Sequence, residues 1–135
     1  MSVRKGDRKD GSLQVIEKMR ELICYTHGRV KDNSIFPKSE RWLLAKSIWS
    51  AASDAHSHIL RANGIRVENE MEADERIFHE KLAIGCLDEL IALIDICHTL
   101  KLISDDRADF WTGLATDAQN LAKGWLKSDR TRYRK

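Results

Sequence analysis

Apolar residues recur along this chain every three or four positions, the period of a helix lying on a core. The sharpest case is residues 110–127, FWTGLATDAQNLAKGWLK, where Trp111, Leu114, Ala118, Leu121 and Trp125 form one stripe. Three further segments share the period. In residues 12–27, Ile16, Met19, Ile23 and Thr26 fall on one face with Val15 and Leu22 beside them, and Gly28 is the expected stop. In residues 37–62, Pro37 suits the first helical position. There Trp42, Ala45, Trp49, Ala52, His56 and Ile59 step 3-4-3-4-3 as a heptad seam, ended by Asn63-Gly64. Ala45, Ala52 and Ala55 would let a neighbouring helix approach closely.

The third segment starts within residues 67–73 and runs to Leu100. One seam reads Ile84, Leu87, Ile91, Ile94, and a second reads Leu82, Cys86, Leu90, Leu93, Cys97, Leu100. Lys81, Asp88, Asp95 and Thr99 leave only a narrow polar stripe. A helix apolar around most of its girth must be covered on most sides. Every helix of a four-helix bundle is peripheral, so the second seam predicts contact with another subunit. The fourth segment opens with Ser104 as N-cap, and Asp105 and Asp106 follow where the helix dipole favours negative charge. A link of only about three residues before it forces an antiparallel hairpin. No strand-like alternation persists. The pattern predicts an all-α fold, an antiparallel up-down-up-down four-helix bundle.

A chain of 135 residues fits one domain with a buried core. The expected organisation is a flexible segment over 1–11, the bundle over 12–128 and a basic tail over 129–135. Hydrophobic residues at 42% and charged residues at 33% argue against disorder, and no apolar run nears the ~20 residues of a membrane helix. The first eleven residues carry charges but no apolar signal core, so a cytoplasmic protein with no membrane partner is expected. Cys24, Cys86 and Cys97 all lie in apolar helical pattern with no C-x-x-C pair, and are read as reduced, buried packing residues.

The net charge of +2 hides an uneven distribution. Residues 1–10 hold four basic and two acidic groups, and residues 123–135 hold six basic and one acidic group, net +2 and +5. The 112 residues between are therefore net −5. A cationic end of this kind attracts phosphate, or serves as a solvated, solubilising tail.

Catalytic signals are sparse. There is no glycine-rich phosphate loop, G-x-S-x-G or H-E-x-x-H. His56 and His58 stand two apart on one helix and point in different directions, so they do not share a metal, and His56 is expected to be buried on its seam. Glu75 with His79, and Asp54 with His58, stand four apart, whereas the helical di-metal signature needs Glu-x-x-His. Solvated helix face is the favoured reading, with no catalytic residue, metal or cofactor. Tryptophans stack on bases only where their rings are exposed. Trp42, Trp49, Trp111 and Trp125 all sit at seam spacing, which predicts core or subunit interface.

Basic side chains are the remaining chemistry. Lys38, Arg41, Lys46, Arg61 and Arg66 belong to the second segment and its exit. Lys123, Lys127, Arg130, Arg132 and Arg134 belong to the end of the fourth. Antiparallel packing would bring Arg61, Arg66, Lys127 and Arg130 to one pole. The expectation is a phosphate-binding surface with no base-reading motif.

Three motifs carry a family resemblance. Phe36-Pro37-Lys38, followed by Arg41 and an apolar run, opens helix two. Leu87-Asp88-Glu89-Leu90 continues through Ile96 to Lys101-Leu102-Ile103-Ser104. Leu121-Ala122-Lys123-Gly124-Trp125-Leu126-Lys127-Ser128 closes the match. Over residues 13–128 the chain resembles the four-helix-bundle family of the accessory variability determinants of diversity-generating retroelements, shared with proteins encoded in ribosomal RNA intervening sequences. It departs from the family in its acidic stretch over 63–73, and at Asp95 and His98, where arginines are frequent. The resemblance implies a non-enzymatic homopentamer that binds a reverse transcriptase and template RNA, or an RNA–DNA hybrid, in support of mutagenic cDNA synthesis. The alternative branch implies a structural, self-assembling bundle of the intervening-sequence type. A small helical enzyme using carboxylates and histidines is the third class.

Overall fold

Periodic apolar faces without strand signals give helices, and a computed structural model describes residues 11–133 as helices throughout, with short links. Helix α1 is Ser12–Val30. Helix α2 is composite: an initial turn Lys38–Glu40, a π-helical turn Arg41–Ala45, and a regular stretch Lys46–Gly64. Helix α3 is Glu70–Thr99 and α4 is Asp105–Tyr133. Helix α2 packs on α3, α3 on α4, and α1 on both α2 and α4. The four form an all-α helical bundle with one apolar core shared by all of them.

Local chemistry sets the ends. Helix α1 runs through Gly28 rather than stopping there, because the chain needs no left-handed residue at that point. It closes when Lys31 N–H reaches the His27 carbonyl at 3.3 Å. In the link that follows, the Asp32 carboxylate accepts from Ser34 N–H at 2.9 Å and Ser34 Oγ at 2.6 Å. Those two hydrogen bonds, the hydroxyl first, hold the Asp32 carboxyl below its usual range. The same link buries Ile35 and Phe36. Pro37 precedes the helix as its cap rather than occupying the first turn, and its carbonyl accepts from Glu40 N–H at 2.8 Å. Asn69 caps α3, its side chain accepting from Glu72 N–H at 2.9 Å, while the Glu72 carboxylate reaches back to Glu68 N–H at 2.9 Å.

Helix α3 ends in a Schellman motif. Lys101 N–H bonds the His98 carbonyl and Leu102 N–H the Cys97 carbonyl, with Lys101 at φ 61°. Glycine is the usual residue there, and a lysine tolerates that conformation only at a cost. Ser104 then caps α4 as its position promises, its Oγ accepting from Arg107 N–H at 3.1 Å.

The buried faces differ from the expected seams on α3 and α2. On α3 the buried line is Ala73, Ile77, Glu80, Ala83, Leu87, Leu90, Ile94 and Cys97. It runs between the two expected seams, so Ile84, Cys86, Ile91 and Leu93 flank one core face half-buried. On α2 the buried line is Ala45, Ile48, Ala52, Ala55, Ile59 and Ala62, also at 3-4 spacing. Ala45, Ala52 and Ile59 of the expected seam belong to it, while Ile48, Ala55 and Ala62 take the core places expected for Trp42, Trp49 and His56, the two alanines being small enough for close packing on α3. His56 is therefore half-buried, Trp49 is 36% exposed and Trp42 is 77% exposed. On α4 the expected stripe holds at Trp111, Leu114, Ala118 and Trp125, with Leu121 half-buried at its edge. That helix carries on past residue 128 to Tyr133, so the described part of the expected tail is helical. Cysteines also divide: all three are free thiols, with Cys97 buried, Cys86 half-buried and Cys24 exposed on the outer face of α1. No helix among the described residues is long and apolar enough to cross a membrane.

Candidate nucleic-acid interface

Nine of the ten basic residues singled out in the sequence are described, and all nine are exposed: Lys38, Arg41, Lys46, Arg61, Arg66, Lys123, Lys127, Arg130 and Arg132. Arg134, with the N-terminal residues 1–10, lies outside the described residues. Three shallow grooves take in only three of the nine, Arg41, Lys127 and Arg132; Arg61, Arg66 and Arg130, expected at one pole with Lys127, line none of these grooves. The first, on the end of α4, is lined by Gly124, Lys127, Ser128, Thr131 and Arg132. The second sets Arg132 and Tyr133 against Val67, Glu68, Asn69, Glu70 and Ala73. There the acidic stretch of the α2–α3 link faces the basic end of α4, so that groove carries both signs of charge. The third is remote in sequence: His27, Val30 and Lys31 from the end of α1, Asn33 from the link, and Arg41 and Trp49 from α2. Arg41 Nη2 donates to Asn33 Oδ1 and is thereby fixed at its rim.

What holds the end of α4 in place is a buried polar cluster. The Arg76 guanidinium on α3 donates from Nε to Asp129 Oδ2 at 2.7 Å and from Nη2 to Asp129 Oδ1 at 3.4 Å. Nη1 reaches the Ile65 carbonyl of the α2–α3 link at 3.5 Å. The same guanidinium lies over the rings of Trp125 and Tyr133, 5.1 and 5.7 Å from their centroids. Glu80, fully buried one turn along α3, is 3.6 Å from Arg76 Nε, and its oxygens accept no hydrogen bond. Burial, then the adjacent Asp129 carboxylate, pushes the Glu80 carboxyl up to about 9. Arg76 therefore neutralises one carboxylate, and the raised Glu80 carboxyl favours the neutral acid at pH 7. Asp129 was the one acidic group in an otherwise cationic tail, and this is its role: it stitches the last two turns of α4 to α3.

Two histidine contacts were not visible in the sequence. His58 on α2 and His79 on α3 meet across the helix pair, Nδ1 to Nδ1 at 3.0 Å with rings inclined by 25°. Partial burial, then the His79 and Arg61 charges, lowers the His58 pKa. His98 Nε2 pairs with Asp105 Oδ1 at 2.6 Å across the α3–α4 hairpin, and that hydrogen bond raises the His98 pKa. Each pair depends on inter-helix register, which spacing within one helix does not reveal. Among the described residues no three His, Cys, Asp or Glu side chains converge to hold a metal ion.

The sequence reading also passed over Lys31, and Trp42 and Trp49, expected in the core or at a subunit interface, lie outside this chain's own core. Lys31 lies just past the end of α1, outside any periodic segment, and only the fold places it beside Arg41. The tryptophans carried a detectable signal, since the overlapping alanine-rich heptad on α2 competes with theirs. Searches of family models, curated proteins and solved structures found nothing that matches this chain.

Proposed function

We propose that this chain is a non-enzymatic accessory protein of a diversity-generating retroelement. It binds template RNA or cDNA together with the reverse transcriptase and supports mutagenic cDNA synthesis. The observation that carries this reading is the set of exposed cations on a rigid helical scaffold, Lys127 and Arg132 on α4 and Arg41 on α2. Fixed cations on a stiff surface match a regular array of phosphates. The three motifs over residues 13–128 supply the family context.

The bundle is taken as antiparallel, up-down-up-down. Support comes from contacts that pair helix starts with helix ends: Trp111 with Thr26, Arg76 with Asp129, and His58 with His79. The assembly is a homopentamer in the cytoplasm. The large apolar side chains left exposed, including Leu43, Met71, Phe78, Leu100 and Phe110, favour self-association. The same residues favour the second reading, a self-assembling structural bundle of the intervening-sequence type with no nucleic-acid ligand.

Salt dependence separates the two. Binding of the purified full chain to template-type RNA should weaken steeply as salt rises, because each neutralised phosphate releases counterions. Lys127→Glu with Arg130→Glu should weaken binding to every sequence and flatten the salt slope, with the oligomer mass unchanged. Absence of RNA binding even at low salt leaves the structural bundle as the surviving reading.

A further inference from the structure

Among the exposed tryptophan and phenylalanine rings of the described residues, Trp42 is the most open to solvent, at 77%. The π turn Arg41–Ala45 puts it there. A π turn rotates less per residue than an α turn, so Trp42 swings off the line of Ala45 and outward. Such turns are frequent at functional sites. The ring does not stand alone, because Lys46 Nζ lies 5.0 Å from its centroid. Farther along α2, roughly 10 Å by helical rise, Trp49 forms a wall of the third groove. It is edged by His27 at 5.7 Å between centroids, and Lys31 and Arg41 line the same groove.

Charge around the two rings is one-sided. Lys31, Lys38, Arg41 and Lys46 are all exposed, and among the described residues none of them is in an ion pair. Of the carboxylates in the same stretch, Asp32 accepts two hydrogen bonds from Ser34 and Glu40 is half-buried. Exposed aromatic faces interleaved with free cations are what single-stranded nucleic acid requires, stacking for its bases and charge for its backbone. A second copy of the chain fits this patch less well, since lysine is depleted from the cores of protein interfaces.

We infer that Trp42 and Trp49, with Lys31, Lys38, Arg41 and Lys46, form a base-stacking platform for single-stranded RNA or DNA. The site is distinct from the phosphate-binding end of α4. This rests on the polyanion-binding reading above and adds to it a place and a mode: unpaired bases stack on α2, while double-stranded segments lack free faces to offer there.

The protein carries its own probe. Trp111 and Trp125 are buried, so quenching of intrinsic fluorescence by an added oligonucleotide reports on Trp42 and Trp49. Titration of the full chain with a uridine 20-mer should quench that emission, and a duplex RNA of equal length should quench it far less. Trp42→Leu combined with Trp49→Leu should weaken 20-mer binding, followed by anisotropy of a labelled strand, by about ten-fold or more. Duplex affinity and the salt slope should hardly change. Trp42→Leu alone, at a largely exposed position, should show part of the same loss with the helical circular dichroism intact. Unchanged 20-mer affinity in both variants, with binding lost in the Lys127→Glu and Arg130→Glu variant, overturns the platform and leaves the proposed function standing. A fall in oligomer mass on tryptophan replacement, with RNA affinity unchanged, overturns it in favour of a self-interface. No RNA binding by the unaltered protein at low salt overturns both.

Discussion

Two pairs of tryptophans, each on one helix and each at heptad-compatible spacing, meet opposite fates. On α4, Trp111 and Trp125 are sealed in the core. On α2, Trp42 and Trp49 stand at the surface. Spacing does not separate them; what each helix offers as an alternative does. Helix α4 has small alanines beside its tryptophans, Ala115, Ala118 and Ala122, so the large rings fill the space that these leave. Helix α2 has a complete second heptad of alanine and isoleucine, and the close α2–α3 contact uses that one. Partners complete the difference. The Trp111 indole N–H donates to Thr26 Oγ1 at 3.0 Å, and the Trp125 ring lies under the Arg76 guanidinium. The Trp42 ring has only a solvated lysine.

The largest test of this contrast is truncation on each helix. Trp111→Ala should cost about 3–5 kcal/mol in unfolding free energy, from lost burial and the cavity left behind. Trp42→Ala should stay within about 0.5 kcal/mol, as surface substitutions do. Urea denaturation of the two variants measures both, and comparable losses would show that Trp42 is packed in a larger assembly.

The next test concerns the lock beneath Trp125. Asp129→Ala leaves a buried guanidinium without its carboxylate and should destabilise by about 3–5 kcal/mol. Glu80→Gln should be neutral or stabilising at pH 7, since the neutral acid is already the folded form. The unfolded chain releases that proton near the ordinary carboxyl value of 4.5, whereas the folded chain keeps it up to about 9. The unfolded state therefore binds fewer protons between those values, and stability falls as pH rises across the window. Denaturation midpoints taken from pH 5 to 9 should show this decline in the unaltered protein and a flatter profile in Glu80→Gln.

The smallest effect lies at the hairpin that feeds α4. Lys101→Gly removes the strain of a left-handed lysine and should raise stability by about 0.5–1 kcal/mol, visible as a higher thermal midpoint. A loss instead would mean that the lysine side chain, not its backbone, sets the turn.

Much of the architecture was legible from residue order. The four periodic segments, the Ser104 cap, the stop at Asn63-Gly64 and the α4 stripe all rest on interactions within a few residues of one another, which spacing encodes. The buried line of α2 was legible only in half, at Ala45, Ala52 and Ile59, because two heptads share those residues and only the partner helix chooses between the rest. The candidate site was legible as a list of cations but not as an arrangement. Lys31 beside Arg41, His58 against His79, and Asp129 on Arg76 are each set by register between helices. The exposure of Trp42 needed the π turn, which no periodicity in residues 37–62 announces.

That turn has a consequence for how the bundle tolerates change in chain length. A π turn holds one residue more than an α turn, so residues 41–45 amount to a single-residue insertion absorbed without breaking the helix. Everything upstream is thereby rotated by roughly 100° relative to an uninterrupted helix. Trp42 within the turn is exposed, and Phe36 a few residues before it is fully buried. The extra residue thus lies next to both a surface ring and a core plug. Deleting one residue from 41–45 would re-aim the short segment that carries them, although neither side chain had changed.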